Sequence, residues 1–189
     1  NARAGYTDAV KGGSDKNELT FTGTASATNL YGGYTTGTSA SAVDLKADAA
    51  ANADAKGNTV NISGGTVNAN GKIAGGYIAK NTTLATPAAS AGDAKGNKVN
   101  IESGTIGNNT SIYGGYTEGA GGATGNIVTI SGGTFSGTSS IYGGYTEGTG
   151  KATGNTVTIT GGTFGGNTVI YGGYTEGTGK ATGNIVNLK

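Results

Sequence analysis

The chain has no cysteine, methionine, tryptophan or histidine, and only one proline, Pro87. Without cysteine there is no disulfide framework and no thiolate metal site; such a chain also suits export in unfolded form through a narrow pore. Charge is scarce: 12% of residues are charged and the net charge is +1, with no basic stripe, so a nucleic-acid partner is not expected. No apolar run approaches the roughly 20 residues that span a bilayer, so this segment is not expected to insert into a membrane. Glycine supplies 40 residues, yet it does not fall at every third position and proline is nearly absent, which excludes collagen. Only 34% of residues are apolar, but disorder normally couples weak hydrophobicity to strong charge, and strong charge is missing. The opening Asn1-Ala2-Arg3-Ala4 runs directly into Gly5-Tyr6-Thr7, so any targeting segment is expected outside this stretch.

What is present is a repeat. One phrase, Gly-Asn-x-Val-x-Ile, places its asparagine at Asn58, Asn97, Asn126 and Asn155, with degenerate copies at Asn17 and Asn184. The other, Ile-Tyr-Gly-Gly-Tyr-Thr, starts at Ile112, Ile141 and Ile170, with looser copies from Leu30 and Ile73 and a tail at Gly5. From the asparagine to the second tyrosine of the next phrase is 19 residues in four copies and 17 in the first. From that tyrosine to the next asparagine the intervals are 11, 24, 20, 10, 10 and 10. A fixed interval is what stacking in register demands, because a slip of one residue turns every side chain to the other face. A variable interval marks a surface loop, whose lengthening costs little entropy.

Within the fixed part, Asn155-Thr156-Val157-Thr158-Ile159-Thr160 alternates with period two, valine and isoleucine on one face and threonine on the other. Gly161-Gly162 ends that strand, Thr163-Phe164 starts a second and the Ile170 phrase forms a third. The expected fold is therefore all-β: a single-stranded parallel β-helix, right-handed, of about six coils of roughly 29 residues. Residues 1–189 form one solenoid domain with two longer loop insertions, 36–56 and 79–95, at the same point of successive coils. Stacking about 4.8 Å apart makes each repeat position a ladder. The core ladders are Val60, Val99, Val128 and Val157 beside Ile62, Ile101, Ile130 and Ile159, joined by Ile73, Ile112, Ile141 and Ile170. Phe164 takes the position of Phe135, Ile106 and Val67. Strict alternation sends Tyr174 and Gly172 inward with Ile170 and Tyr171 outward, unless the glycines bend the strand at a corner. The repeat asparagine shares the valine's parity and is expected to form an amide ladder at a turn.

The phrases Val-Thr-Ile-Ser-Gly-Gly-Thr-Phe and Ile-Tyr-Gly-Gly-Tyr-Thr-Glu-Gly resemble repeats in the passenger regions of bacterial autotransporter-type adhesins, over nearly the whole chain. The resemblance implies secretion, display at the bacterial cell surface and a β-helical stalk. The C-terminal membrane barrel of such proteins has no counterpart here. A stretch that opens and closes in mid-repeat, without polar caps, fits an excerpt of a longer chain.

Four features invite a functional reading. The two insertions, alanine-rich with scattered Asp and Lys, would sit side by side as one protrusion able to hold a partner, or be neutral lengthenings. Tyr31, Tyr113, Tyr142 and Tyr171 form a candidate exposed ladder that could stack against glycan rings or a partner protein, or simply stabilise the sheet. Glu118, Glu147 and Glu176, with Lys151 and Lys180 four residues after the last two, suggest calcium. However, calcium takes roughly six or more oxygen ligands and one glutamate per coil falls short, so a solvated charge ladder is expected and no metal site. Threonines at 156, 158 and 160 suggest an ice-binding array, but the equivalent positions in other coils are irregular.

Catalysis is not expected. β-Helices do carry polysaccharide lyases and hydrolases, but the carboxylates here repeat or lie in loops, and no unique acid pair stands out. The expected function is a non-catalytic, cofactor-free secreted surface protein acting in adhesion or display, its partner a host or neighbouring-cell glycan or protein. The alternative is a structural subunit of an extracellular filament or layer that self-associates through its terminal coils, whose strand edges stay open.

Overall fold

The computed structural model describes residues 1–7, 14–35, 54–79 and 92–189. Among them every element is a β-strand and every strand pairing is parallel. Parallel neighbours cannot be joined by tight hairpins, so the chain travels around the molecule before returning one repeat further on. The result is a solenoid-like stack built on a 13-stranded and a 5-stranded sheet.

The register follows the repeat. Leu19, Val60, Val99, Val128, Val157 and Val186 are consecutive partners, and so are Phe21, Ile62, Ile101, Ile130, Ile159 and Leu188. The Thr-Phe strand aligns Ala27, Val67, Ile106, Phe135 and Phe164. The third strand aligns Leu30, Ile73, Ile112, Ile141 and Ile170. These columns pack into one continuous core. Val60, Val99, Val128 and Val157 are fully buried, as are Ile101 and Ile130, while Ile62 and Ile159 are nearly so. Fully burying one such side chain stabilises by about 1.5–3 kcal/mol, but only because its neighbours above and below supply the cover.

The sequence pattern suggests three strands per repeat; the structure adds a fourth. Ala55–Lys56, Ala94–Lys95, Ala123–Thr124, Ala152–Thr153 and Ala181–Thr182 form the smaller sheet. Its alanines at 55, 94, 123 and 152 are fully buried, Ala55 and Ala94 packing with Ile78 in a separate small core. Two residues are too few to show a period, which is why alternation misses them. The insertions consequently end earlier than 56 and 95. Within them, residues 36–53 and 80–91 lie outside the described part.

Each small strand is followed by a glycine in the left-handed region, Gly57, Gly96, Gly125, Gly154 and Gly183 at φ of 61 to 64°, and Lys16, at 55°, holds the same place before Asn17. This conformation suits glycine because no Cβ meets the following carbonyl. It turns the chain so that the next residue, the repeat asparagine, points inward.

Candidate functional site: the asparagine ladder and the tyrosine face above it

The asparagines form one hydrogen-bonded column, as expected. Asn17, Asn58, Asn97, Asn126 and Asn155 each donate their backbone N–H and side-chain Nδ2 to the Oδ1 of the next asparagine, ending on Asn184, at 2.9–3.0 Å. The second Nδ2 hydrogen goes to the alanine strand of the preceding repeat, from Asn97 to Ala55 O at 2.8 Å and from Asn126 to Ala94 O at 2.9 Å. The amides are thereby satisfied while Asn58, Asn97, Asn126 and Asn155 have no exposure. The column also has a direction, with acceptors facing one end and donors the other.

This column explains the Gly-Gly of the tyrosine phrase. A Cβ on Gly115 would lie 2.5 Å from the Asn126 side chain, and Gly144 and Gly173 meet Asn155 and Asn184 in the same way. The strand passes so close to the amides that neither glycine position holds a side chain, and the alternation breaks there. Strict alternation, which would turn Tyr174 inward, is therefore corrected. Residues i and i+3 end on the same side: Tyr113 and Tyr116 have ring centroids 4.7 Å apart, Tyr142 and Tyr145 4.9 Å, and Tyr171 and Tyr174 5.0 Å. The threonine after each second tyrosine turns in, and Thr117 and Thr146 donate to the carbonyls of Gly121 and Gly150 at 2.7 and 2.9 Å, closing the short loop.

The tyrosines form two columns side by side. Tyr34, Tyr77, Tyr116, Tyr145 and Tyr174 stack with centroids 4.8–5.4 Å apart and rings within 21° of parallel. Tyr113, Tyr142 and Tyr171 stack beside them at 5.2 and 5.5 Å, while Ala74 separates Tyr31 from that run. Lys72 covers the position that Ala74 leaves open, its Nζ 4.7 Å from the Tyr77 ring centroid and 4.5 Å from that of Tyr116. Burial pushes this ammonium's pKa down, with Glu118 and Glu147 opposing the shift. Arg3 lies 4.0 Å over Tyr34.

An exposed ladder at Tyr31, Tyr113, Tyr142 and Tyr171 needs correction. Tyr31 and Tyr113 are 6% and 7% exposed, Tyr142 is half-buried, and only Tyr171, at the end of the stack, is open at 39%. The cause is the second tyrosine column, which alternation had assigned to the interior. Burial raises the Tyr31 and Tyr113 hydroxyls from 10.0 to about 12, with the neighbouring Tyr34 and Tyr142 adding to the effect.

The glutamates are more than a solvated ladder. Tyr77, Tyr116 and Tyr145 donate their hydroxyls to Glu118, Glu147 and Glu176, each in the following repeat. Desolvation together with these carboxylates holds all three phenols neutral well above the ordinary tyrosine range. Sequence reasoning missed this pairing. Its trace is that Glu118, Glu147 and Glu176 each follow a tyrosine by two residues, one repeat after Tyr77, Tyr116 and Tyr145.

Chemically, the face offers hydroxyls and carboxylates rather than ring faces, because each ring is covered by the next. Among the described residues no three of His, Cys, Asp and Glu gather to hold a metal. The two insertion points are also neighbours. Thr35 pairs with Ile78 where the chain leaves, and Ala55 pairs with Ala94 where it returns. Asp54 and Asp93 at the return are linked, the Asp93 N–H donating to Asp54 Oδ1 at 2.8 Å, and each aspartate pairs with the lysine two residues on at 2.6 Å. Fold and site together define an all-β repeat protein of parallel, solenoid-like build. No protein-family model, no curated protein and no solved structure matches the chain.

Proposed function

We propose that the chain is a right-handed, single-stranded parallel β-helix of about six coils of roughly 29 residues. It serves as a rigid, non-catalytic stalk of a secreted bacterial surface protein of the autotransporter-adhesin kind. Its work is adhesion or display. The observation that carries this reading is the division of each repeat. An interior of apolar and asparagine ladders runs through every copy, and the large length variation falls on one side, where two insertions spring from paired residues. A scaffold that holds its register while its loops vary is suited to presenting those loops. The tyrosine face is assigned to rigidity: stacked aromatic pairs contribute about 0.5–1.5 kcal/mol each beyond their area. The partner, a glycan or protein of a host or neighbouring cell, is then met at the paired insertions and not on the rings.

The test replaces each insertion by the 10-residue spacing found after Tyr116 and compares binding to glycan arrays and to cells. Loss of binding with an unchanged unfolding midpoint supports the reading. Equal binding by the trimmed chain overturns it.

A further inference from the structure

The tyrosine face holds more chemistry than rigidity requires. Stacking alone needs only a ring, and in the core this chain uses phenylalanine for it: Phe135 and Phe164 stack with centroids 4.4 Å apart. On the face the stacked rings are tyrosines. Tyr77, Tyr116 and Tyr145 are buried, yet each hydroxyl donates to a carboxylate of its own, on Glu118, Glu147 and Glu176. The rings meet face to face, Tyr77 on Tyr116 at 4.8 Å and Tyr116 on Tyr145 at 5.1 Å, both 19° from parallel. With cysteine, methionine, tryptophan and histidine absent, tyrosine is the most readily oxidised side chain present. A phenol gives up an electron easily only if its proton leaves too, because the alternative is a strongly acidic radical cation in a buried site. Burial and the carboxylates keep these three hydroxyls protonated well above the ordinary tyrosine range, so the proton has to be handed on at the moment of oxidation. The hydrogen-bonded carboxylate is placed to take it.

We propose that the column Tyr77, Tyr116 and Tyr145 is a one-electron relay, which accepts a hole from a one-electron oxidant at the surface and passes it from ring to ring. In the first step Tyr145 gives one electron to the oxidant, which is reduced, and its hydroxyl proton to Glu176. A neutral tyrosyl radical and a carboxylic acid remain. Tyr116 then gives an electron to that radical and its own proton to Glu147, while Glu176 returns its proton to Tyr145. The same exchange follows between Tyr77 and Tyr116, with Glu118 taking the proton. Each proton moves only within its own tyrosine–glutamate pair, and only the electron crosses between repeats. Every hop therefore joins two like sites, and the repeat leaves little energy difference between them. This inference is independent of the display reading, since neither insertion takes part.

Because the chain has no cysteine, Thr149→Cys, exposed in the loop that follows Tyr145, takes a single ruthenium–polypyridyl label. A laser flash and a soluble electron acceptor turn that label into a one-electron oxidant. 3-Aminotyrosine incorporated in place of Tyr77 is more easily oxidised than tyrosine, so it traps the hole two repeats away and is read by transient absorption and electron paramagnetic resonance. The aminotyrosyl radical should form after the flash. The hydroxyl–carboxylate bonds also tie neighbouring repeats together, and two variants separate that tie from transfer. Tyr116→Phe keeps the stacked ring but has no proton to give. Glu147→Gln keeps an acceptor for the Tyr116 hydroxyl, but its neutral amide does not take the proton. Each should slow arrival at position 77 by at least about tenfold. No radical at position 77, or arrival at an unchanged rate in either variant, would overturn the proposal. Circular dichroism of each variant establishes that the strands are intact.

Discussion

Replacing Asn126 by alanine isolates what the buried amide column contributes. In the native chain Asn126 Oδ1 accepts from the N–H and Nδ2 of Asn97, and its Nδ2 donates to Ala94 O and to Asn155 Oδ1. Alanine leaves the Asn97 N–H and the Ala94 carbonyl without these partners, in residues that have no exposure. Asn97 Nδ2 keeps Ala55 O, and Asn155 Oδ1 keeps the backbone N–H of residue 126. Each orphaned buried group costs about 1–3 kcal/mol, so the substitution should cost about 2–6 kcal/mol. Against a typical total of 5–15 kcal/mol, this is a large share. Asn17→Ala is the control. It lies half-buried at the end of the column, and its backbone N–H still reaches Asn58 Oδ1, so its cost should stay near 1 kcal/mol. Asn126→Asp should be worse than alanine, because a carboxylate confronts the Ala94 carbonyl and Asn155 Oδ1 in a buried site. Urea unfolding followed by circular dichroism measures all three. If Asn126→Ala falls within about 0.5 kcal/mol of the native chain, or matches Asn17→Ala, the column is not a structural element and the reasoning fails.

Two glycines separate close approach from backbone strain. Gly125→Ala, at φ 63° with nothing within 4 Å of the new methyl, should cost about 1–2 kcal/mol, whereas Gly115→Ala drives a methyl into the Asn126 amide and should cost about 3 kcal/mol or more; equal costs in urea titrations would show that the strand can move off the asparagines. High pH should unfold the protein through its tyrosines. With Tyr31 and Tyr113 raised from 10.0 to about 12, their contribution is complete below pH 10 and is lost as pH climbs from 10 through 12, because the unfolded chain ionises first. Spectrophotometric titration should show this delayed ionisation, and Tyr113→Phe should reduce its amplitude; simultaneous ionisation of all 10 tyrosines near pH 10 in the folded chain would contradict the packed face.

The sequence alone determined the ladders. Val157 and Ile159 alternate with threonines, the Val/Ile pair recurs after Asn58, Asn97, Asn126 and Asn155, and the 19-residue interval shared by those four copies allows one register. Period-two alternation and fixed spacing are local facts, and a parallel stack is how such a segment can bury its apolar face. The asparagine column was legible for the same reason, since identical residues in identical phase must meet.

Only the tertiary structure decided where the tyrosines point and what the glutamates do. Alternation failed at Gly114-Gly115 because the Asn126 side chain, 11 residues further along, occupies the space that a Cβ would need. That single approach puts Tyr113 and Tyr116 on one face and buries the ladder once expected to be open. The Tyr116–Glu147 bond joins residues 31 positions apart, so no local pattern contains it. Ala123–Thr124 became a strand only because its neighbours in adjacent repeats lie alongside. Each of these depends on contact between copies, a distance that spacing along one chain does not encode.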